Sequence, residues 1–413
     1  MPSKTLIYPA DRIQEIKEAR KFGIEAKITR VNFRSIMERM KKAVTSGRMQ
    51  LRKAIRDAKN LDFYNEAAHF SGDYTLELSR EKIKGRKIFV AVGSRPLIPS
   101  VPGLDIVGYL TNESVLELKS RPKSIIIIGG GYIGVEYGHF FSAIGTKVTI
   151  VGRSEVLVPD EDSDVSSLLQ RELKKRMDVH TGMMVTRVEK RGGNVTVFAQ
   201  DKKSGQKKRF AAERVMVATG RVSNVDLLKP ENTGVAIDER NYIRVDDQLQ
   251  TSTENIWAVG DGIGRQMFTH AGDKEAEIAW HNATHGEKIK MDFTAVPRVI
   301  FSHPQIASVG LTEAQARKDH NVLVGRAQYS DIVAGDTMAE KEGFAKVIVE
   351  KGSERLLGCH MIGPYASHLI QEAANVIADR GSVNAITGKM HAFPTLPELI
   401  PEALGNLEGS GSV

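Results

Sequence analysis

Ile125-Ile126-Ile127-Ile128-Gly129-Gly130-Gly131-Tyr132-Ile133-Gly134-Val135-Glu136 is the stretch that decides how this chain folds. Successive β-branched apolar residues predict a strand buried on both faces of a parallel sheet. Gly129, Gly131 and Gly134 then stand at the G-x-G-x-x-G spacing that turns a strand into a helix. The first glycine permits the tight turn, the second lets a pyrophosphate reach the backbone, and the third lets helix and strand pack closely. The helix N-terminus that follows offers N–H groups and partial positive charge to phosphates. Tyr132 and Ile133, in its first turn, join the three glycines as candidate nucleotide-binding residues. The site lies well inside the chain, so other structure occupies the first part.

The next strand, Lys147-Val148-Thr149-Ile150-Val151, ends in Gly152-Arg153-Ser154. An acidic residue at that point would hold the ribose hydroxyls of NAD. Arg153 instead offers a bidentate partner for a 2′-phosphate, which favours NADP(H) over NAD. Glu155 lies close enough to keep both cofactors open, and a solvated turn residue is the plain alternative for Arg153.

Outward from this unit, residues 9–22 and 33–58 read as charged helices. In the second, Phe33, Ile36, Met37, Met40, Val44, Leu51 and Ile55 recur at helical spacing. Residues 70–78 and 83–92 read as strands, and Pro96 to Pro102 as a crossing between domains. A helix over 163–177, strands over 183–200, 207–217 and 256–259, and a helix over 272–284 follow. From Val296 onward the pattern becomes α+β without a nucleotide fingerprint, and Gly409 to Val413 reads as a disordered tail.

Composition bounds the function. The 413 residues, 41% hydrophobic and 26% charged, are those of a multidomain globular protein. No apolar run approaches the ~20 residues of a membrane helix. Met1 to Leu6 lacks a signal-peptide apolar stretch, so no membrane partner and a cytoplasmic location are expected. The net charge of +7 is spread along the chain without a basic-aromatic stripe, so nucleic acid is not an expected partner. Lys202, Lys203, Lys207, Lys208 and Arg209 flank a hairpin tip. Cys359, the single cysteine, excludes an internal disulfide and a thiolate-rich metal site, and its apolar surroundings predict a buried small side chain. His281 and His285 have metal-compatible spacing but no evident third ligand, so no metal is expected. His360 and His368 read as packing residues.

Further strand ends repeat a theme: Ala91-Val92-Gly93-Ser94-Arg95-Pro96, Ala218-Thr219-Gly220-Arg221 and Ala258-Val259-Gly260-Asp261. With the glycine fingerprint, and with Ser308-Val309-Gly310-Leu311-Thr312-Glu313 downstream, the whole chain resembles the pyridine nucleotide–disulfide oxidoreductases, most nearly their dihydrolipoamide dehydrogenase-like members. The resemblance implies an α/β fold with two Rossmann-like nucleotide-binding domains, the FAD one incomplete, plus a C-terminal α+β dimerisation domain. It places the first part of the FAD domain at residues 1–115, the NAD(P) domain at 116–235, the second part of the FAD domain at 236–292 and the dimerisation domain at 293–413. The implied activity passes electrons from NAD(P)H through FAD to a disulfide or small-molecule acceptor in a homodimer.

Residue by residue, the resemblance implies that Asp261 holds the FAD ribityl chain, that Gly93 and Ser94 lie along FAD, and that Met267-Phe268-Thr269-His270 pass the flavin ring. Gly220 falls with the NAD(P) residues. Glu136 is expected near the flavin and nicotinamide, paired with Lys4. A lysine there offsets negative charge that develops on reduction, and a carboxylate orients it.

The departures are equally specific. The family's C-x4-C pair and the FAD pyrophosphate fingerprint have no counterpart upstream of Pro2-Ser3-Lys4, which suggests a start on the order of fifty residues into the pattern, one βαβ unit. Glu66 replaces a glycine of the family's Y-x-G-x-A-x-F run. The family's His-Pro-x-x-x-Glu becomes Phe393-Pro394-Thr395-Leu396-Pro397-Glu398, and phenylalanine cannot shuttle a proton. His391 is the candidate substitute, beside Glu398. Phe393 also keeps open a mercuric reductase- or transhydrogenase-like NADPH flavoenzyme, or a nucleotide-binding chain without catalysis.

Overall fold

The computed structural model describes residues 2–409; Met1 and the end of the tail expected to be disordered, 410–413, lie outside the described residues. The chain divides into two compact units. One comprises Met1–Met49, Ile98–Thr219 and Pro297–Val413, the other Gln50–Leu97 and Gly220–Val296.

At the centre of the first unit is a four-stranded parallel sheet in the order Arg214–Val217, Ser124–Ile128, Lys147–Val151, Asp178–His180. Ile125 to Ile128 are buried on both faces, as their composition predicts. The helix Tyr132–Ala143 follows the glycine turn. The expected strands over 183–200 and 207–217 resolve further. Met183–Arg191, Asn194–Asp201 and Lys207–Ala212 form an antiparallel sheet, with the lysine-flanked turn at its tip, and Arg214–Val217 joins the parallel sheet.

The helix expected over 9–22 instead runs Pro2–Glu18 and ends in a 3₁₀ turn, Ala19–Phe22. Pro9, which resembles a helix start, lies inside it. Leu6, Ile7, Ala10 and Ile13 are buried, and packing of that face against the helix Tyr132–Ala143 outweighs the proline's local cost. Lys4, Asp11 and Glu18 recur every seven residues along it, two helical turns apart. Each makes a polar tie: Lys4 to Glu136, Asp11 to His139 and Glu18 to His303. His139 is wholly enclosed between Asp11 and Arg176, and burial drives its pKa down to about 4. The hydrogen bond from His303 draws Glu18 down to about 2.

The C-terminal part of this unit is a six-stranded antiparallel sheet, ordered Arg298–Ile300, Gln305–Gly310, Leu356–Gly363, Phe344–Glu350, Val322–Gln328, Glu408–Gly409. Cys359 is completely buried in it, and burial pushes its thiol up to about 12. Register places Arg298, Ser308, His360, Lys346 and Arg326 in one row across five strands. His360 is buried, but His368 is exposed against the edge of Tyr365, contrary to the packing role expected of it. A short helix turn leaves it on the outer face.

In the second unit, Ile88–Val90 pairs in parallel with Ile256–Ala258, and Ser94–Pro96 pairs antiparallel with Arg221–Ser223. The single strand expected over 70–78 is a hairpin of His69–Gly72 and Thr75–Glu77, turned at Tyr74 with φ +55°. The run 83–92 also breaks, at 85–87, into Lys82–Lys84 and Ile88–Val90. Glu66, in the place of the family's glycine, accepts the Ser79 N–H.

Candidate functional site

The nucleotide turn is built by close approach. Gly129 has φ +122°, in the region closed to most side chains. A Cβ on Gly134 would lie 2.2 Å from the Gly129 carbonyl oxygen, so only glycine lets the helix sit this near the strand. Gly131 faces open space, with nothing within 4 Å of where its Cβ would be. The backbone is thus bare where a phosphate must approach, and the residues present fit a dinucleotide. Tyr132 and Ile133 begin the helix there, Tyr132 partly exposed.

At the end of the neighbouring strand Arg153 is exposed and engages no carboxylate among the described residues, while Glu155 pairs with Lys203 at 3.1 Å. Glu155 is therefore turned onto a lysine, and the exposed guanidinium is available to an anion.

Glu136, on the second turn of the same helix, is buried, and its Oε1 lies 2.5 Å from Lys4 Nζ. The Phe301 N–H donates to the same oxygen at 3.0 Å, and Lys4 Nζ sits 4.4 Å above the centre of the Phe301 ring. The ammonium is held by the carboxylate and the ring yet remains partly exposed.

The second unit gathers a separate set. Ser94 Oγ donates to Asp261 Oδ2 at 2.5 Å, and Arg221 Nε lies 2.7 Å from Ser94 Oγ and 3.4 Å from Asp261 Oδ2. Gly93, with φ +66°, has open space at its Cβ position. Asp261 sits in a 3₁₀ turn, Gly260–Ile263, and the Gly260 N–H donates to the buried Glu275 at 2.6 Å. Hydroxyl, carboxylate and guanidinium together fit a polyol and phosphate-bearing cofactor. Gly220 belongs to this unit, where its carbonyl accepts the Leu97 N–H. Met267 and Phe268 precede a helix that starts at Thr269, not near Gly272 as expected, because Phe268 already accepts the first intrahelical bond, from Gly272 N–H. Thr269 and His270 therefore lie in its exposed first turn. Sequence reasoning missed Arg221 and Glu275; the arginine of the Ala-Thr-Gly-Arg run was the available signal.

In the C-terminal sheet region, His391 Nε2 lies 3.0 Å from Glu372 Oε1, on the helix Ala366–Ala378. Glu398 caps its own turn by accepting the Thr395 N–H, so it does not orient His391. Phe393 is 73% exposed and takes no part in the core. His281 and His285 stack on each other, and no metal-binding group occurs among the described residues.

A glycine-turn Rossmann unit, a cation–carboxylate pair beside it and a separate C-terminal antiparallel sheet define a nucleotide-dependent oxidoreductase. Residues 1–282 match the pyridine nucleotide-disulphide oxidoreductase family, and residues 296–404 match its dimerisation domain. The chain belongs to that family. It is 32% identical to mycothione reductase of Mycobacterium tuberculosis over 417 residues, covering 98% of this chain and 90% of that protein. It is likewise 32% identical to dihydrolipoyl dehydrogenase of Synechocystis over 423 residues, covering 98% and 89%. Mercuric reductase of Lysinibacillus sphaericus is 30% identical over 400 residues, covering 96% and 73%. Among solved structures, the HOCl-induced flavoprotein disulfide reductase RclA from Escherichia coli superposes with a TM-score of 0.85 at 26% identity, covering 98% of this chain and 89% of that one. The activity is that of a flavin-dependent NAD(P)H oxidoreductase, with FAD and NAD(P)H as cofactors, and the dimerisation domain supports a homodimer. No helix among the described residues is long and apolar enough to cross a membrane.

Proposed function

We propose that this protein is a cytoplasmic, NADPH-preferring flavoenzyme whose acceptor is a disulfide or another small oxidant. The observation that carries the cofactor preference is Arg153, exposed at the end of the second Rossmann strand and engaging no carboxylate among the described residues. Gly129, Gly131, Gly134, Tyr132 and Ile133 would hold the dinucleotide. Asp261, Ser94 and Gly93 would hold the polyol of FAD, with Met267, Phe268, Thr269 and His270 beside it. Bound FAD supplies the two-electron centre between nicotinamide and acceptor.

Lys4 would offset negative charge arising on reduction, and Glu136 keeps its ammonium in place. His391, oriented by Glu372, is the group available to move a proton at the acceptor end; Glu398 shapes the turn between them and the helix Leu399–Gly405. Steady-state kinetics with NADPH and NADH on the wild type and Arg153→Ala test the proposal. A lower KM for NADPH that the substitution abolishes supports it, and an unchanged cofactor ratio refutes it.

A further inference from the structure

Glu275 is the anomaly of the second unit. It is a carboxylate with no exposed surface, on the helix Thr269–Thr284. One oxygen, Oε2, accepts the Gly260 N–H at 2.6 Å; the other, Oε1, has no hydrogen-bond partner among the described residues. Buried carboxylates are normally fully bonded, so an unpartnered oxygen marks a group whose ionised form is not fully supported.

The turn that Glu275 grips is the one that presents Asp261. Gly260 has φ +71°, and Gly272 brings the helix close: a Cβ there would lie 3.4 Å from Gly260 Cα. Two charged groups face Glu275. Asp261, next to its hydrogen-bonded partner, disfavours its ionisation, and Arg265, just beyond the turn, favours it. Burial is the larger effect and pushes the carboxyl up to about 7.

We infer that Glu275 is a positioning residue which holds the Gly260-Asp261 turn through a single hydrogen bond and makes the retention of anionic FAD depend on its protonation. The inference rests on the assignment of Asp261 to FAD made above. The protonated acid still accepts the Gly260 N–H, while removing one negative charge beside Asp261. The ionised form leaves two carboxylates flanking one short turn, and FAD is itself an anion. Binding therefore favours the protonated acid, and by linkage FAD binding takes up a proton.

The test is FAD release from the purified holoprotein, followed by the rise in flavin fluorescence between about pH 6 and about pH 8, with wild type and Glu275→Gln. Glutamine keeps an acceptor for Gly260 but cannot ionise. The wild-type dissociation constant should rise with pH by several-fold, at most about tenfold per pH unit for one proton. The Gln variant should be flat and should retain FAD as the wild type does at low pH; a merely structural role would weaken binding at every pH. Equal pH dependence in both proteins overturns the inference. If the variant fails to fold, proton release accompanying FAD loss from the wild type in weak buffer decides it: release near pH 7 supports the inference, and none overturns it. A preparation that takes up no FAD at all refutes the assignment of Asp261 and the inference together, whereas tight but pH-independent binding refutes the inference alone.

Discussion

Lys4 Nζ and the Phe301 N–H converge on one oxygen of Glu136, at 2.5 Å and 3.0 Å. A buried carboxylate thus anchors a partly exposed ammonium at the N-terminal end of the first helix, 132 positions away in sequence. Replacing Lys4 with Met removes the charge and leaves a side chain of similar length. Stopped-flow reduction of the bound flavin by NADPH should slow by about 10²–10³-fold, the usual cost of losing one preorganised electrostatic group. Glu136→Gln keeps an acceptor for Phe301 but leaves Lys4 without its counter-charge, and should slow the same step less, about tenfold. Equal rates in all three proteins would remove Lys4 from the chemistry.

Arg153 is exposed at the end of its strand and engages no acid among the described residues. Arg153→Ala should raise KM for NADPH by roughly 10–100-fold, the equivalent of one charge-assisted hydrogen-bonded pair. KM for NADH should stay within about twofold, since NADH has no 2′-phosphate for Arg153 to meet.

Lys346 is 3% exposed and lies 2.7–2.9 Å from Asp162, Asp164 and Glu313. Burial, the largest single effect, would raise the Asp162 and Glu313 carboxyls, but Lys346, joined by Arg317 at Glu313 and by the Glu313 N–H and His360 at Asp162, holds both below their ordinary values of 3.8 and 4.5. Burial would lower Lys346, yet its three acids hold it above 10.5. Groups with depressed pKa stabilise the fold above their unfolded values and lose that contribution as pH falls through the folded ones. For Lys346 the sense is opposite: its contribution is complete below 10.5 and is lost as pH rises through the raised value. Urea unfolding midpoints of the wild type should therefore fall at both pH extremes. Lys346→Met should cost about 3–5 kcal/mol at neutral pH, because it strands buried carboxylates, and should flatten both limbs.

His391 meets Glu372, not Glu398. His391→Ala should slow turnover of a disulfide acceptor by about 10²-fold and leave flavin reduction by NADPH unaffected. Glu372→Gln should slow the same turnover by a smaller factor, about tenfold, because the imidazole loses the carboxylate that orients it. An unchanged rate would assign the pair to packing.

Much of the fold was legible locally. Four isoleucines and three spaced glycines specify a strand, a turn and a helix within twelve residues. The first helix was misplaced because Pro9 imitates a helix start, and only burial of Leu6 and Ile7 against another helix shows that the turns before it are also helical. The 70–78 run looked continuous because Tyr74 carries no turn signature, although its positive φ makes the hairpin.

By itself the sequence determined the nucleotide turn, since glycine spacing, strand burial and helix initiation are interactions among near neighbours. It also placed Arg153 where a cofactor phosphate is expected. The resemblance also anticipated the pair of Lys4 with Glu136; only the tertiary structure decided the other polar pairings: Arg221 with Ser94 and Asp261, His391 with Glu372, and Glu275 beneath Gly260. Those pairings span distant parts of the chain. They are set by how helices and strands pack, and hydrogen-bonding chemistry that is the same for every carboxylate in the sequence becomes selective only when packing excludes water from one of them.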